Sequence, residues 1–244
     1  MLSVIIPSKT ASNLIPCVKA VRKHEPGVDI IWIDDRHKSF YRSTDDDEHA
    51  EVSRAAGAPY ITTIKGIAPF VFSRNVNLGI KAALGIPIDG HPGAVGAPFD
   101  GVVLLNDDAL LQTPGGFSVM AQACREHPEY GIIGAVTDLT GQPLQRPRGI
   151  GLRQVPHIAF VCCYIPRITF ERVGLLDENY NRDYGVEDRD MCEAVNRIGM
   201  KVGVHDGCFV NHSSLVSSFR GDPRAPKSFQ QNYAYFKQKW GIME

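Results

Sequence analysis

Two adjacent carboxylates and an amide follow a short apolar run near the middle of the chain. The branched residues of 101–105 predict a buried strand of a parallel sheet, and Asn106, Asp107 and Asp108 come directly after it. Two carboxylates in an apolar setting repel each other and favour a cation between them. Mg²⁺ and Mn²⁺ prefer such oxygens, commonly shared with a substrate's phosphates. For this segment alone, an acidic helix-capping turn is the alternative.

Polar side chains also follow two earlier predicted strands. The strand predicted over residues 2–7 ends at Pro7 and Ser8, and the strand over 28–33 leads to Asp35. Ligands of open α/β sheets bind outside the carboxyl ends of the strands. We therefore expect these side chains and the acidic pair to line one crevice.

Hydrophobic periodicity predicts the elements that position these groups. Strands and helices alternate over about the first 135 residues, which is typical of a mostly parallel, doubly wound α/β sheet with flanking helices. Asn13, Ser73 and Thr113 are predicted to begin helices. Residues 85–98 are rich in glycine and proline and are interpreted as a loop or insertion within one domain.

The second half of the chain adds further charged groups. Residues 137–157 are interpreted as a polar loop that holds Arg146, Arg148 and Arg153, and a strand is predicted over 158–165. Glu187 and Asp188 open a predicted helix, and His212 follows the second of two short strands predicted over 201–204 and 208–210. Four aromatic residues between 229 and 240 recur at helical spacing and are interpreted as core packing.

Composition narrows the class of protein. The formal charge of −1 gives no general attraction to polyanions, so nucleic acid is not indicated, although a modified nucleobase stays open as an acceptor. Six cysteines without metal-site spacing, and no signal peptide, favour reduced core thiols and a cytoplasmic location. No apolar run reaches membrane-spanning length. Neither a G-x-G-x-x-G nor a Walker A motif occurs, so a metal would have to neutralise phosphates here.

Seven motifs, in this order, resemble the inverting glycosyltransferases of family 2, which have the GT-A fold. They are VIIPS at 4–8, IDD at 33–35, FSRNVNLG at 72–79, LLNDD at 104–108, GLLDE at 174–178, YGVEDRD at 184–190 and VNH at 210–212. The resemblance covers nearly the whole length. It implies a Rossmann-like GT-A domain over 1–244, with a nucleotide-sugar-binding half at 1–136 and an acceptor-binding, catalytic-base half at 137–244 packed on the same domain.

The resemblance also implies roles for individual residues on the donor side. Asp35 looks like the carboxylate that reads the uracil or thymine edge. The other residues implied to line the donor are Pro7, Ser8, Arg74, Asn75, Asn106 and Asp107. Asp108 is the implied direct metal ligand, completed by His212. The family usually has a D-x-D motif at this point, with aspartate at the first and third positions. This chain has Asn106 at the first position, which can still accept a hydrogen bond from a ribose hydroxyl but lacks a charge.

On the acceptor side, Asp188 is the implied base, with Glu187 as the second candidate. The start of a helix lowers a carboxylate's pKa, whereas neighbouring carboxylates raise it. Arg220 and Arg224 are candidates for stabilising the diphosphate, and Arg146, Arg148 and Arg153 would meet an anionic acceptor. The alternatives are helix-terminal charges for the acidic pair and a solvated loop for these last three arginines.

The sequence thus predicts a metal-dependent, inverting glycosyltransferase of hexosyl- or deoxyhexosyltransferase type. It would use Mn²⁺ or Mg²⁺ and a UDP- or dTDP-sugar, and transfer the sugar to a hydroxyl of a glycan, a lipid-linked intermediate or another acceptor. A nucleotide-sugar-binding protein with a retired site is the non-enzymatic alternative. A sugar nucleotidyltransferase is a further one, but it would need a glycine- and arginine-rich phosphate loop that residues 8–13 lack.

Overall fold

Four parallel strands form the amino-terminal part of one nine-stranded sheet. The structure is a computed structural model that describes residues 2–35, 43–57, 61–88, 99–140, 142–180, 185–217 and 223–242. The four strands lie in the order β3-β2-β1-β4. Their bounds are Ser3–Ser8 for β1, Asp29–Asp34 for β2, Ile61–Lys65 for β3 and Gly101–Leu105 for β4. Ser8 pairs with Asp34 in this register, so the polar residues after β1 and β2 meet at one edge of the sheet.

Helices cover both faces of these strands. Helix α1 spans Ala11–His24, α2 spans Ser43–Ala56 and α3 spans Phe72–Leu84. Alternate side chains of β1 point to opposite faces, because the side-chain period of a strand is two residues. Val4 and Ile6 pack with α1, whereas Ile5 packs with α3. A Cβ at Gly79 would lie 2.6 Å from the Ile5 side chain, so a glycine is needed where α3 crosses β1.

The rest of the sheet mixes parallel and antiparallel pairs. Strand β5 spans Leu110–Leu111, β6 Tyr130–Thr137, β7 Leu152–Val155, β8 Cys162–Pro166 and β9 Lys201–Asn211. The sheet continues from β4 in the order β8-β6-β9-β5, with β7 paired to β9. Strand β8 runs antiparallel to β4 and β6, while β6 and β9 are parallel. The predicted α/β class is confirmed, with parallel pairing among β1–β4 and between β6 and β9.

Four further helices flank this part. They are α4 over Gly116–Glu126, α5 over Arg167–Val173, α6 over Glu187–Arg197 and α7 over Ala225–Trp240. All six cysteines are free and buried, in agreement with the prediction of core thiols. Among the described residues, no helix combines the length and the apolar character that crossing a bilayer requires.

The predicted helix starts were displaced, and two of the three polar side chains serve distant partners. Asn13 lies inside α1, and its amide donates to the Val216 carbonyl at 2.8 Å. Thr113 precedes α4, and its hydroxyl accepts from the Phe209 amide of β9 at 3.0 Å. Ser73 lies in the first turn of α3 and is buried. A cap residue that is used by a distant element cannot be recognised from local sequence.

Three strand predictions also need correction. The region 137–157 is not only a loop, since it contains β7 and a short 3₁₀ turn at Pro143–Gln145. The two short strands predicted over 201–204 and 208–210 form a single strand, β9, whose register with β6 shifts after His205. The strand predicted over 158–165 begins only at Cys162. Most of the 85–98 insertion lies outside the described residues.

Candidate active site

A cavity of about 580 Å³ lies beyond the carboxyl ends of β1, β2 and β4. The beginning of α6, one side of α7 and the end of β9 complete its wall. Nine predicted site residues line it, namely Pro7, Ser8, Asp35, Asn106, Asp107, Asp108, Glu187, Asp188 and His212. Residues from both halves of the sequence therefore meet in one cavity.

Asp35 forms one corner of the cavity and is only 2% exposed. Its Oδ1 accepts a hydrogen bond from the Asn75 amide. Its Oδ2 is buried and has no partner among the described residues. Burial raises the pKa of Asp35 to about 7, although the Asn75 hydrogen bond and the charge of Lys9 oppose that rise. A buried carboxylate with one open acceptor position is matched to an N–H donor that arrives with a ligand.

The segment after β3 allows this corner to form. A Cβ at Gly66 would lie 2.0 Å from Asp35 Oδ1, so any larger residue would displace the carboxylate. Asn75 lies behind Asp35 rather than in the cavity lining, and its Oδ1 accepts from the Ile67 amide at 3.0 Å. The guanidinium of Arg74 donates to the carbonyls of Ile67 and Pro69. In the structure, Arg74 and Asn75 thus hold the loop beside Asp35 and do not line the cavity.

Asp107 is fixed against the end of β1. Ser8 Oγ donates to Asp107 Oδ2 at 2.6 Å. Burial raises the pKa of Asp107 to about 6, with a contribution from Asp108, and the Ser8 hydrogen bond opposes the rise. Asn106 lines the cavity beside it. The acidic segment after β4 therefore splits, with Asp107 facing β1 and Asp108 facing the end of β9.

Asp108 and His212 form a close pair although they are 104 positions apart in the sequence. His212 Nε2 lies 3.0 Å from Asp108 Oδ1, and both side chains are largely buried. Because His212 Nδ1 lies 2.7 Å from the Leu139 carbonyl, which can only accept, Nδ1 must carry a proton. A neutral His212 then presents a lone pair at Nε2 to a carboxylate oxygen. A proton or a cation between them removes that repulsion.

The spacing of this pair fits a divalent ion. Two neighbouring ligands of an octahedral ion at about 2.1 Å are roughly 3 Å apart, which is the separation of Nε2 and Oδ1. Asp138 fixes the backbone here, since its Oδ1 accepts from the His212 amide at 2.7 Å. Within the described ranges, no group of three or more His, Cys, Asp or Glu side chains is arranged to hold a metal. Among these four residue types, the described ranges thus offer at most two metal ligands at any one place.

Glu187 and Asp188 open α6 on the opposite side of the cavity. Burial and the neighbouring Asp188 raise the pKa of Glu187 to about 8. Burial also raises the pKa of Asp188, although hydrogen bonds from the backbone amides of Arg189 and Phe160 oppose it. Of the opposing effects expected at the start of the helix, those that raise the pKa therefore prevail for both carboxylates. Near pH 7, Glu187 is mainly the acid, and Asp188, which accepts backbone donors, is the better candidate for the anion.

The turn before α6 is strained. Val186 is the residue before the helix and has a φ of 88°, in the left-handed region that a β-branched residue rarely adopts. Such a conformation costs on the order of 1–3 kcal/mol and persists where the surroundings fix it. Val186 is buried, and the carbonyl of Gly185 accepts from the Asn232 amide of α7 at 3.0 Å. Helix α7 therefore helps to aim the two carboxylates at the cavity.

The four candidate arginines that the structure describes do not line the cavity. Arg153 pairs with Asp206 at 2.7 Å and donates to the carbonyls of Leu144 and Arg146, so its guanidinium holds the 144–150 segment. The Arg148 amide donates to the same Asp206. None of Arg146, Arg148, Arg153 and Arg224 lines the cavity, and Arg220 lies outside the described residues. The sequence could not show that Asp206 neutralises this loop.

Several cavity residues were not assigned a role in the site from the sequence. Lys9 follows Ser8 and lies over the Phe70 ring at 4.1 Å, and both line the cavity. Arg189, Phe229 and Tyr233 line the side opposite the acidic pair after β4. The spacing of Phe229 and Tyr233 showed that they share a helix face, but it could not show that this face borders a cavity. For Phe229, which is 44% exposed, the interpretation as core packing is wrong, whereas Tyr233 both borders the cavity and packs against the buried cluster of Tyr180, Val186 and Phe236.

Comparison with known proteins identifies the fold. No protein-family model and no curated protein sequence matches the chain. A crystal structure of GalNAc-T7 with UDP, GalNAc and Mn²⁺ is similar, with a TM-score of 0.71 and 14% identity over 98% of this chain and 47% of that one. TarS from S. aureus is similar as residues 1–349, with a TM-score of 0.55 and 12% identity over 85% and 59% of the two chains.

A longer TarS structure gives a TM-score of 0.62 and 12% identity over 98% of this chain and 39% of TarS. The chain thus spans between 39% and 59% of the length of these three structures. At such low identity the likeness shows the fold alone. The chain has the GT-A glycosyltransferase fold, as predicted. Its membership of family 2 and the division into two functional halves stay predictions.

Proposed function

We propose that the chain is a metal-dependent, inverting glycosyltransferase that moves a hexosyl or deoxyhexosyl group from a UDP- or dTDP-sugar to an acceptor hydroxyl. The convergence of three charged corners on one cavity of a GT-A fold supports this. The first is Asp35, the second is the Asp108–His212 pair and the third is Glu187 with Asp188. They are separated along the sequence, and each has the chemistry that one part of the reaction requires.

The open acceptor position of Asp35 supports a sugar donor whose nucleotide carries uracil or thymine. Its open Oδ2 can accept one hydrogen bond, and these bases carry a single N–H on the edge they would present. Cytosine offers a lone pair at the corresponding ring nitrogen, so it would face a carboxylate without a donor between them. Pro7 and Ser8 stand beside this corner and would border the base and ribose.

Asp108 and His212 would hold the divalent ion, together with oxygens of the donor diphosphate and water. When bound, Mn²⁺ or Mg²⁺ supplies positive charge against the charge that develops on the departing diphosphate. The pair fits this task because its two ligand atoms face each other and, with Nδ1 protonated, a neutral His212 has no proton at Nε2 to donate to Asp108. Asp107 and Asn106 would remain on the ribose side, where Ser8 fixes Asp107.

Asp188 would act as the base. An acceptor hydroxyl attacks the anomeric carbon from the face opposite the nucleotide, and its proton passes to an Asp188 carboxylate oxygen as the bond to the diphosphate breaks. The backbone amides of Arg189 and Phe160 hold that carboxylate in place. Glu187, whose pKa is about 8, would keep its proton near neutral pH and so limit the negative charge beside the acceptor.

The two alternatives fit less well. A retired site predicts loss of the base or of the metal ligands, but Asp108, Asp188 and His212 all line the cavity. A sugar nucleotidyltransferase would place a glycine-rich phosphate loop after β1, whereas this chain turns from Ser8 directly into α1. A cytoplasmic location is part of the proposal, supported by the six free cysteines.

The decisive experiment titrates UDP, dTDP and GDP into the protein with and without Mn²⁺, and then measures sugar transfer by wild-type and Asp188→Asn protein. We expect UDP or dTDP to bind, and Mn²⁺ to strengthen binding. The variant should bind the donor as the wild type does, since asparagine can still accept the hydrogen bond of the Arg189 amide at Oδ1. Its turnover should fall about 10²- to 10⁴-fold, the usual contribution of a general base.

Three outcomes would contradict this proposal in different ways. Absence of binding by every diphosphate in both conditions would remove the donor site. Normal donor binding with no transfer to any of a broad panel of sugars, lipids and peptides would favour the retired-site protein. Full activity of Asp188→Asn would leave transfer intact and move the base to Glu187, which Glu187→Gln would then test.

A further inference from the structure

The cavity-facing side of α7 is aromatic and partly open. Phe229 and Tyr233 lie one turn apart, and their rings are parallel, with centroids 6.0 Å apart and an interplanar angle of 6°. Both line the cavity, and Phe229 remains 44% exposed. Exposed aromatic rings at a cavity wall form a surface on which the apolar face of a sugar ring can pack.

Arg189 stands beside these rings. Its guanidinium carbon lies 5.3 Å from the Tyr233 centroid and 5.5 Å from that of Phe236, so the aromatic side of α7 supports it by cation–π contacts. With the other described residues, the guanidinium forms neither an ion pair nor a hydrogen bond. By contrast, the terminal nitrogens of Arg153 are held by Asp206 and two carbonyls. Arg189 thus presents a planar set of N–H donors in the cavity wall.

We propose that Phe229, Tyr233 and Arg189 form an acceptor subsite for a sugar ring that carries an anionic group, either a carboxylate or a phosphate. The ring would pack on the two aromatic side chains, and the anionic group would pair with the guanidinium. The proposal rests on the proposed function, because it takes Asp188 as the base. Asp188 and Arg189 both line the cavity from the first turn of α6, and the proposed subsite places one ring beside both of them.

Electrostatics favours a charged acceptor over a neutral one at this place. Asp188 borders the same part of the cavity and would repel an anion that had no cation of its own. Arg189 provides that cation, held where it can meet carboxylate or phosphate oxygens in a bidentate geometry. A neutral acceptor could accept hydrogen bonds from the guanidinium but would gain less than an anion, because hydrogen bonds between two charged groups are the stronger ones.

The test compares matched glycosides that differ only in charge, in the presence of UDP and Mn²⁺. The probes are p-nitrophenyl β-glucuronide, its methyl ester, p-nitrophenyl β-glucoside and the 6-phosphate of that glucoside. NMR titration gives the Kd of each for wild type, Arg189→Met, Arg189→Lys and Phe229→Ala. We expect wild type to bind at least one anionic probe about tenfold more tightly than its neutral partner. Arg189→Met should lose this preference, Arg189→Lys should keep part of it, and Phe229→Ala should weaken all probes alike.

The two pairs of probes also identify the anionic group, and they separate this inference from the proposed function. Preference for the glucuronide assigns a carboxylate, and preference for the 6-phosphate assigns a phosphate. The inference is wrong if wild type shows no charge preference, if Arg189→Met retains it, or if no probe binds. It is also wrong if Arg189→Met weakens UDP binding while the preference persists, because Arg189 would then serve the donor diphosphate. Failure of UDP itself to bind wild type would instead contradict the proposed function.

Discussion

At the scale of single residues, Asp35 shows how a binding site can cost stability in the free protein. It is a buried carboxylate with one oxygen bound by Asn75 and the other without a partner among the described residues. Burial raises its pKa to about 7, so the folded protein holds a proton there that the unfolded chain releases above about pH 4. The stability cost therefore grows as the pH rises from about 4 to about 7 and is complete above that range.

Asp35→Asn should remove this stability cost and should also weaken the binding of UDP. The introduced asparagine would orient its oxygen toward the Asn75 amide, so its own NH₂ would face the N–H of the base. We expect UDP binding at pH 8 to weaken about 10- to 100-fold, since two donors would then oppose each other. The variant should be about 1–3 kcal/mol more stable than wild type at pH 8 and less so at pH 5. Urea unfolding at both pH values and calorimetric titration measure the two effects.

Asp34→Asn is the matched control, because Asp34 is the adjacent carboxylate at the end of β2 but does not line the cavity. It should leave UDP binding near the wild-type value. A stability difference between wild type and Asp35→Asn that is the same at pH 5 and pH 8 would contradict the raised pKa. Unchanged UDP binding by Asp35→Asn would remove Asp35 from the donor site.

At the scale of elements, one buried carboxylate fastens α7 to α6. Asp190 accepts hydrogen bonds from Tyr180 and Trp240, each at 2.7 Å, and from Lys239 at 2.8 Å. Lys239 also pairs with Asp177 at 2.6 Å. The second aspartate of the 187–190 segment is therefore structural. It holds the helix that carries the aromatic side of the cavity.

Lys239→Met should loosen that attachment. The substitution removes both ion pairs and leaves Asp177 and Asp190 to their neutral partners. Breaking a fully buried pair costs about 3–5 kcal/mol, but Lys239 is partly exposed, so we expect a loss of about 1–3 kcal/mol. These contacts lower the pKa of Asp177, so the loss should diminish as the pH falls below the usual range for aspartate. Urea unfolding at pH 7 and pH 3.5 measures it.

Lys227→Met provides the matched control, since Lys227 is exposed on the same helix. It should change stability by no more than about 0.5 kcal/mol. In Lys239→Met, binding of the glycoside probes at the α7 side of the cavity should weaken more than binding of UDP, because α7 does not hold Asp35 or Asp108 in place. An unfolding free energy equal to that of wild type would show that solvent screens both ion pairs fully.

The elements also show what local sequence can and cannot predict. The apolar runs of β1, β2 and β4 and the polar residues after them were predicted, because burial and sheet topology act on consecutive residues. The cap at Asn13 was wrong because its amide serves a carbonyl about 200 positions away. Likewise, the arginine-rich loop was interpreted without Asp206, which neutralises it from β9. Long-range pairing is the information that a single sequence lacks.

At the scale of the whole molecule, the candidate site belongs to neither half of the chain alone. Asp35 and Asp108 come from the predicted nucleotide-sugar half, whereas His212 and Asp188 come from the predicted acceptor half. These residues could be predicted because motifs preserve their order. Arg189 and the aromatic pair could not, because their exposure depends on how α7 crosses the start of α6.

A ligand that bridges the two halves should stabilise the entire fold. At 100 times its Kd, a ligand bound only by the folded state adds about 2.7 kcal/mol, which for a chain of this size raises Tm by about 5–10 °C. We expect UDP with Mn²⁺ to produce such a shift and Mn²⁺ alone a small one, since no group of three or more His, Cys, Asp or Glu side chains joins the Asp108–His212 pair among the described residues. Asp108→Ala should abolish the Mn²⁺-dependent part and keep the part due to UDP, because Asp35 is intact.

Differential scanning fluorimetry over a series of UDP concentrations, with CDP as the control nucleotide, measures each part. An equal shift in Asp108→Ala would mean that the metal binds elsewhere, and no shift in wild type would mean that the halves do not share a donor site.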